Sequence, residues 1–133
     1  MGPERIVMGA ILLNTDILVD FLRGDKKAED FIATQADRII LSTLVVAELY
    51  AGVEGEAERE ALDALVSLFR IVPVDVEIAK AGGFYQRDYG KSHGVGLADA
   101  ILAATAEAWK ADLKTLNIKH YPMLKGLRSA YTK

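Results

Sequence analysis

Four polar residues stand out by where they fall. Asn14 closes the apolar run 10–13, and Asn117 follows the short run 112–115. Glu48 lies within 44–50 and Asp99 within 96–104, both otherwise nearly free of charge. A carboxylate buried alone costs several kcal/mol, so it is paired, protonated or bound to a metal. No Lys or Arg shares the helical segment of Glu48. The cations nearest Asp99 in sequence are Lys91, eight residues before it, and Lys110, eleven after it. Glu48 and Asp99 are therefore expected to meet each other or something shared. With Asn14 and Asn117 they form an oxygen-rich set without sulfur, which suits hard dications such as Mg²⁺ or Mn²⁺. Simpler roles stay open. Asp99 could cap a helix, Glu48 could pair with a distant Arg, and both Asn residues suit turns.

The other polar candidates read more simply. Asp16 and Asp20 stand four apart and read as one solvated helix face. His93 and His120 have no second ligand at metal spacing and read as surface or core residues. Trp109, Tyr85 and Tyr89 read as packing residues.

The elements that must position these groups alternate. Strands are expected over 10–13, 39–41, 71–74 and 112–115, where apolar or β-branched runs are short. Helices are expected over 15–22, 26–36, 43–51, 56–69, 76–89 and 97–109. Ser42 and Thr43 are good N-caps, and Gly52 a stop. Helix 56–69 is the clearest amphipathic one, with Ala57, Ala61, Ala64, Leu65, Leu68 and Phe69 as its apolar stripe. Gly82 and Gly83 mark a weak point in helix 76–89, and Gly90, Gly94 and Gly96 a loop after it. Strands separated by helices imply a parallel sheet covered on both faces. Ligands of such sheets bind beyond the carboxyl ends of the strands, where Asn14 and Asn117 stand.

Composition narrows the class. The chain has 133 residues, enough for one core. A single unit over 10–133 is expected, preceded by an extension or alternative start over 1–9. Half the residues are apolar (51%), which excludes a disordered chain. The net charge is −3, so any nucleic acid must be held by local basic patches. There is no Cys, hence no disulfide, thiolate zinc site or cysteine nucleophile. No apolar run approaches the ~20 residues of a membrane span. A cytoplasmic location is expected.

Residues 13–24 (LNTDILVDFLRG), 42–52 (STLVVAELYAG), 97–106 (LADAILAATA) and 113–121 (LKTLNIKHY) resemble, in order and spacing, the four motifs of the PIN-domain family. The nearest group is the VapC-type toxins of prokaryotic toxin–antitoxin pairs. The resemblance implies a three-layer α/β/α sandwich around a short, mainly parallel sheet. It implies an endoribonuclease dependent on Mg²⁺ or Mn²⁺, a homodimer, and a VapB-type antitoxin as partner. Carried over residue by residue, the catalytic positions are Asn14, Glu48, Asp99 and Asn117. Asn14, Glu48 and Asp99 would be metal ligands, and Thr15 would support the first strand end. Arg23, Lys91, Lys114 and Lys119 are candidates for RNA phosphates by proximity in sequence. Three positions depart from the family pattern, Asn117 mildly, since the family often has Asn there. Asn14 stands where the family places its first metal-binding Asp, and Val45 where many relatives carry Thr. An Asn there keeps the shape but loses the charge. The competing reading is a catalytically silent PIN-like module that binds antitoxin or RNA. A receiver-type phosphorylation domain would leave Glu48 and Asp99 unexplained.

Overall fold

The computed structural model describes residues 7–132. Most of the expected extension over 1–9 lies outside them. Four short strands, β1 (Ile11–Leu13), β2 (Ile39–Ser42), β3 (Arg70–Val72) and β4 (Asp112–Lys114), form a sheet in the order β3-β2-β1-β4. Every pairing is parallel, with Ile11 opposite Ile39 on one side and Asp112 on the other. Six helices cover it: α1 (Thr15–Leu22), α2 (Lys26–Gln35), α3 (Thr43–Ala51), α4 (Gly55–Val66), α5 (Val76–His93) and α6 (Leu97–Trp109). The result is the expected α/β/α sandwich. β1 and β2 are buried along their whole length, as uninterrupted apolar strands must be.

The order in which strands are added reverses at β1. The connections lead from β1 to β2 and β3 on one side, and β4 returns on the other. Loops therefore diverge between β1 and β4, and that crevice is where such sheets place ligands.

Three expectations are corrected. Helix α4 buries Leu62 and Leu65, with Phe69 just beyond it, whereas Ala57, Ala61, Ala64 and Leu68 are exposed. Small alanines offered less apolar area than the leucines one position away. Helix α5 runs on through Gly90 to His93 and ends at Gly94, whose φ of +65° stops it in the left-handed region. Gly82 is not a weak point. A Cβ there would lie 2.8 Å from Ile101 Cγ1 and 2.9 Å from Ile101 Cα, so glycine lets α5 lie directly against α6. Gly83 faces open space.

This pair of neighbours gives a matched test. Gly82→Ala should destabilise by about 1–3 kcal/mol through overpacking. Gly83→Ala should stabilise by up to about 1 kcal/mol through helix propensity. Urea midpoints of the two variants moving the same way would refute this account of the contact.

The same helix pair carries a link that responds to alkali. Tyr85 on α5 donates its hydroxyl to Glu107 on α6. Burial first, and then that bond, push its phenol from 10.0 to about 12. A raised phenol pKa favours the fold below the unfolded value and is lost as pH climbs through the folded one. The thermal midpoint should therefore fall more steeply between pH 10 and 12 than that of Tyr85→Phe. Parallel curves would remove Tyr85 as the cause.

The chain end is tied to α1. Tyr131 donates its hydroxyl to Asp20 at 2.7 Å, and Lys27 bonds the carbonyl of Thr132. Asp20 is only 5% exposed. It is therefore not on a solvated face, as its spacing from Asp16 suggested.

Candidate active site

Strand β1 delivers Asn14 to the crevice. Its backbone N–H donates to Lys114 O of β4 at 3.0 Å, which continues the sheet by one bond. The side chain then caps α1. Oδ1 accepts from Thr15 N at 2.7 Å, which fixes the amide orientation and turns Nδ2 toward the crevice. Nδ2 donates to the Tyr121 hydroxyl at 3.0 Å and to Thr115 Oγ1 at 3.2 Å. The Tyr121 hydroxyl in turn donates to Asp99 Oδ1 at 3.0 Å. Thr15 Oγ1 donates to Glu48 Oε1 at 2.8 Å. Neighbouring residues 14 and 15 thus tie α6 and α3 to the end of β1.

Asp99 stands in the first turn of α6, whose N-cap is Gly96, so it is not the cap. Its Oδ2 lies 3.4 Å from His120 Nδ1. Glu48 pairs with no cation among the described residues. Neither carboxylate is buried in the way the apolar surroundings suggested. Glu48 is exposed and Asp99 half-buried, because the apolar neighbours of each fall on other faces of their helices. Their common feature is one phenol. Tyr121 is 1% exposed, and burial pushes its pKa far up, reinforced by the charges of Asp99, Asp16 and Glu48. Three carboxylates from three helices therefore act on a single hydroxyl.

Asp16 is the site residue that spacing concealed. Its Oδ2 accepts from Leu116 N at 2.7 Å, Thr115 Oγ1 at 2.8 Å and Asn117 Nδ2 at 3.4 Å, and its Oδ1 from Ile17 N at 2.9 Å. It pins the end of β4 to the start of α1 and orients Asn117. His120 and Tyr121 were equally hidden. The only local signal was that both close the fourth motif, directly after Asn117. Val45 is fully buried on the inner face of α3.

The basic candidates divide. Arg23 lines a groove of about 530 Å³ between α1, α3 and α4, whose wall includes Thr15 and Glu48. Lys119 is exposed in the short turn Ile118–His120. Lys114 lines a separate cavity of about 530 Å³ with Lys125 and Arg128. Lys91 is exposed in the last turn of α5, and no hydrogen bond or ion pair among the described residues joins it to the site. His93, also exposed, meets Tyr89 edge-on. Trp109 is buried as packing, with Arg70 over its ring.

The donor set matches a hard cation in kind, because its polar side chains offer oxygen and no sulfur. It is short in charge. Among the described residues no three of His, Cys, Asp and Glu group closely enough to hold a metal. Asn14 offers only the second lone pair of an oxygen already used for capping. Of the four positions carried over from the family, Glu48 and Asp99 are the two that bear a carboxylate.

A crevice at the turning point of a parallel sheet, ringed by residues from β1, α3, α6 and the end of β4, defines a class, and comparison with known proteins agrees. Residues 11–120 match the PIN domain family, to which the chain belongs. It is of the VapC type. It is 40% identical over 124 residues to ribonuclease VapC19 of Mycobacterium tuberculosis, covering 90% of this chain and 98% of that one. With ribonuclease VapC10 of the same organism it shares 36% over 124 residues, covering 91% and 92%. Among solved structures, a toxin–antitoxin complex from Klebsiella pneumoniae superposes with a TM-score of 0.77 at 23% identity, over 92% of this chain and 98% of that one.

Proposed function

We propose that this chain is a ribonuclease toxin of a VapBC pair, with a site built for Mg²⁺ or Mn²⁺ and weakened by Asn14. The observation that carries it is the gathering of Asn14, Glu48, Asp99 and Asn117 around the end of β1 by Thr15, Tyr121 and Asp16. Glu48 and Asp99 would hold the cation. A bound dication supplies charge stabilisation at phosphate and a more acidic water. The chain's own residues do the rest. Thr15 fixes Glu48 by its hydroxyl, Tyr121 fixes Asp99, and Asp16 holds Asn117 at the mouth of the crevice. Arg23 and Lys119 are exposed and able to meet phosphates of an RNA strand. The chain's acidity suits recognition of a structured RNA better than sequence-independent binding.

The partners follow the same reading. A VapB-type antitoxin would occupy the groove beside Glu48, where Val19, Leu22, Leu49 and Leu62 offer an apolar wall and Arg23 a charge. Homodimer formation would cover exposed apolar residues such as Leu68, Val76, Phe84 and Leu97. A cytoplasmic setting suits both partners. Among the described residues no helix is long and apolar enough to cross a membrane.

The test is cleavage of total RNA by the purified chain with Mn²⁺, with Mg²⁺ and with EDTA, beside Glu48→Gln. Weak cleavage that needs a cation and disappears in the variant is expected. Cleavage undiminished by EDTA would overturn the reading. An inert chain that Asn14→Asp leaves inert would favour the silent binding module.

A further inference from the structure

The structure assigns Tyr121 a part that no motif gives it: it is a positioning residue for Asp99, aimed by the amide of Asn14. The inference rests on the proposed site only in treating Asp99 as a working group.

A phenol has one proton to donate, and rotation about C–O decides which acceptor receives it. Asn14 Nδ2 can only donate, so at 3.0 Å it claims an oxygen lone pair of Tyr121. The proton is then directed to Asp99 Oδ1, also at 3.0 Å. The Asn14 amide is itself fixed, because its Oδ1 caps α1. Thr115 repeats the logic. It accepts from Asn14 Nδ2 and gives its proton to Asp16 Oδ2. A one-way sequence of donors thus runs from the start of α1 to a carboxylate of α6 and to another of α1 itself. Tyr121 is 1% exposed, so little water is at hand to replace either of its bonds. Asp99 belongs to a helix that no other side-chain hydrogen bond described here joins to β1. Without the phenol, the polar side-chain contact left to its carboxylate among the described residues is the half-exposed His120.

Nuclear magnetic resonance of the cation-free protein tests this. In the unmodified chain, the side-chain amide protons of Asn14 should exchange at least tenfold more slowly than those of exposed Asn117. Tyr121→Phe should narrow that difference, because only the bond to Thr115 Oγ1 would remain, and shift the ¹³Cγ resonance of Asp99. Tyr131→Phe, which breaks the other buried tyrosine–carboxylate bond, should change neither. Equal exchange for Asn14 and Asn117 would overturn the inference without any variant. So would an Asp99 resonance indifferent to Tyr121→Phe. These resonance measurements need no nuclease activity, so their outcome is separate from that of the proposed function.

Discussion

Asn14→Asp should raise cation-dependent cleavage of RNA by at least tenfold, equivalent to about 1.4 kcal/mol of barrier. Position 14 lies beside Thr15, which holds Glu48, and across Tyr121 from Asp99. A carboxylate there would add Coulomb attraction for a dication to that supplied by Glu48 and Asp99. The same substitution should weaken the fold when no cation is present. The new carboxylate would face Tyr121 and Thr115, whose protons already go to Asp99 and Asp16. Donors that now meet acceptors would become acceptors meeting acceptors, at a cost of about 1–3 kcal/mol. Asn14→Asp is thus expected to melt lower than the unmodified chain in EDTA and to recover with Mn²⁺. Asp99→Asn in that background should remove both the cleavage and the recovery. A variant equally stable in EDTA and no more active than the unmodified chain would show that position 14 is not the missing ligand.

Asp16→Ala should cost about 2–4 kcal/mol. The carboxylate collects four bonds, two of them from backbone N–H groups at 2.7 and 2.9 Å. Bonds to a charged acceptor contribute about 1.5–3 kcal/mol each, and partial exposure lets water recover some of this. The loss should reach the site as well. Thr115 would lose the acceptor for its proton and Asn117 its anchor, so in the Asn14→Asp background cleavage should fall at least tenfold. A urea midpoint within error of the unmodified chain's would contradict the account. Retained cleavage would show that Asn117 needs no anchoring by Asp16.

What could be read from sequence was what is local. Apolar runs of three or four residues marked β1, β2 and β3. Capping residues such as Ser42, which accepts from Leu44 N at 3.0 Å, marked helix starts. Glu48 and Asp99 were legible as carboxylates in apolar company, although burial was the wrong reason for their prominence. What joins residues about a hundred positions apart was not legible. Asp16 looked like half of a solvated pair because its partners, Thr115 and Leu116, lie 99 and 100 positions away. Tyr121 had no periodicity to betray it, since it stands alone after a short turn. Gly82 carried the usual sign of a weak helix. Only the close approach of Ile101 shows that its missing side chain is what the packing needs.

The central strand acquires its second neighbour late. β1 pairs with β4 through Leu13 and Lys114, 101 positions apart, and the site closes only when Thr115 and Tyr121 arrive. A ribosome adds about 5–20 residues per second. The growing chain therefore carries Asn14, Glu48 and then Asp99 without the groups that bring them together, for roughly 5–20 s after the first of them is made. During that interval an activity aimed at RNA has no assembled site with which to attack the message being translated.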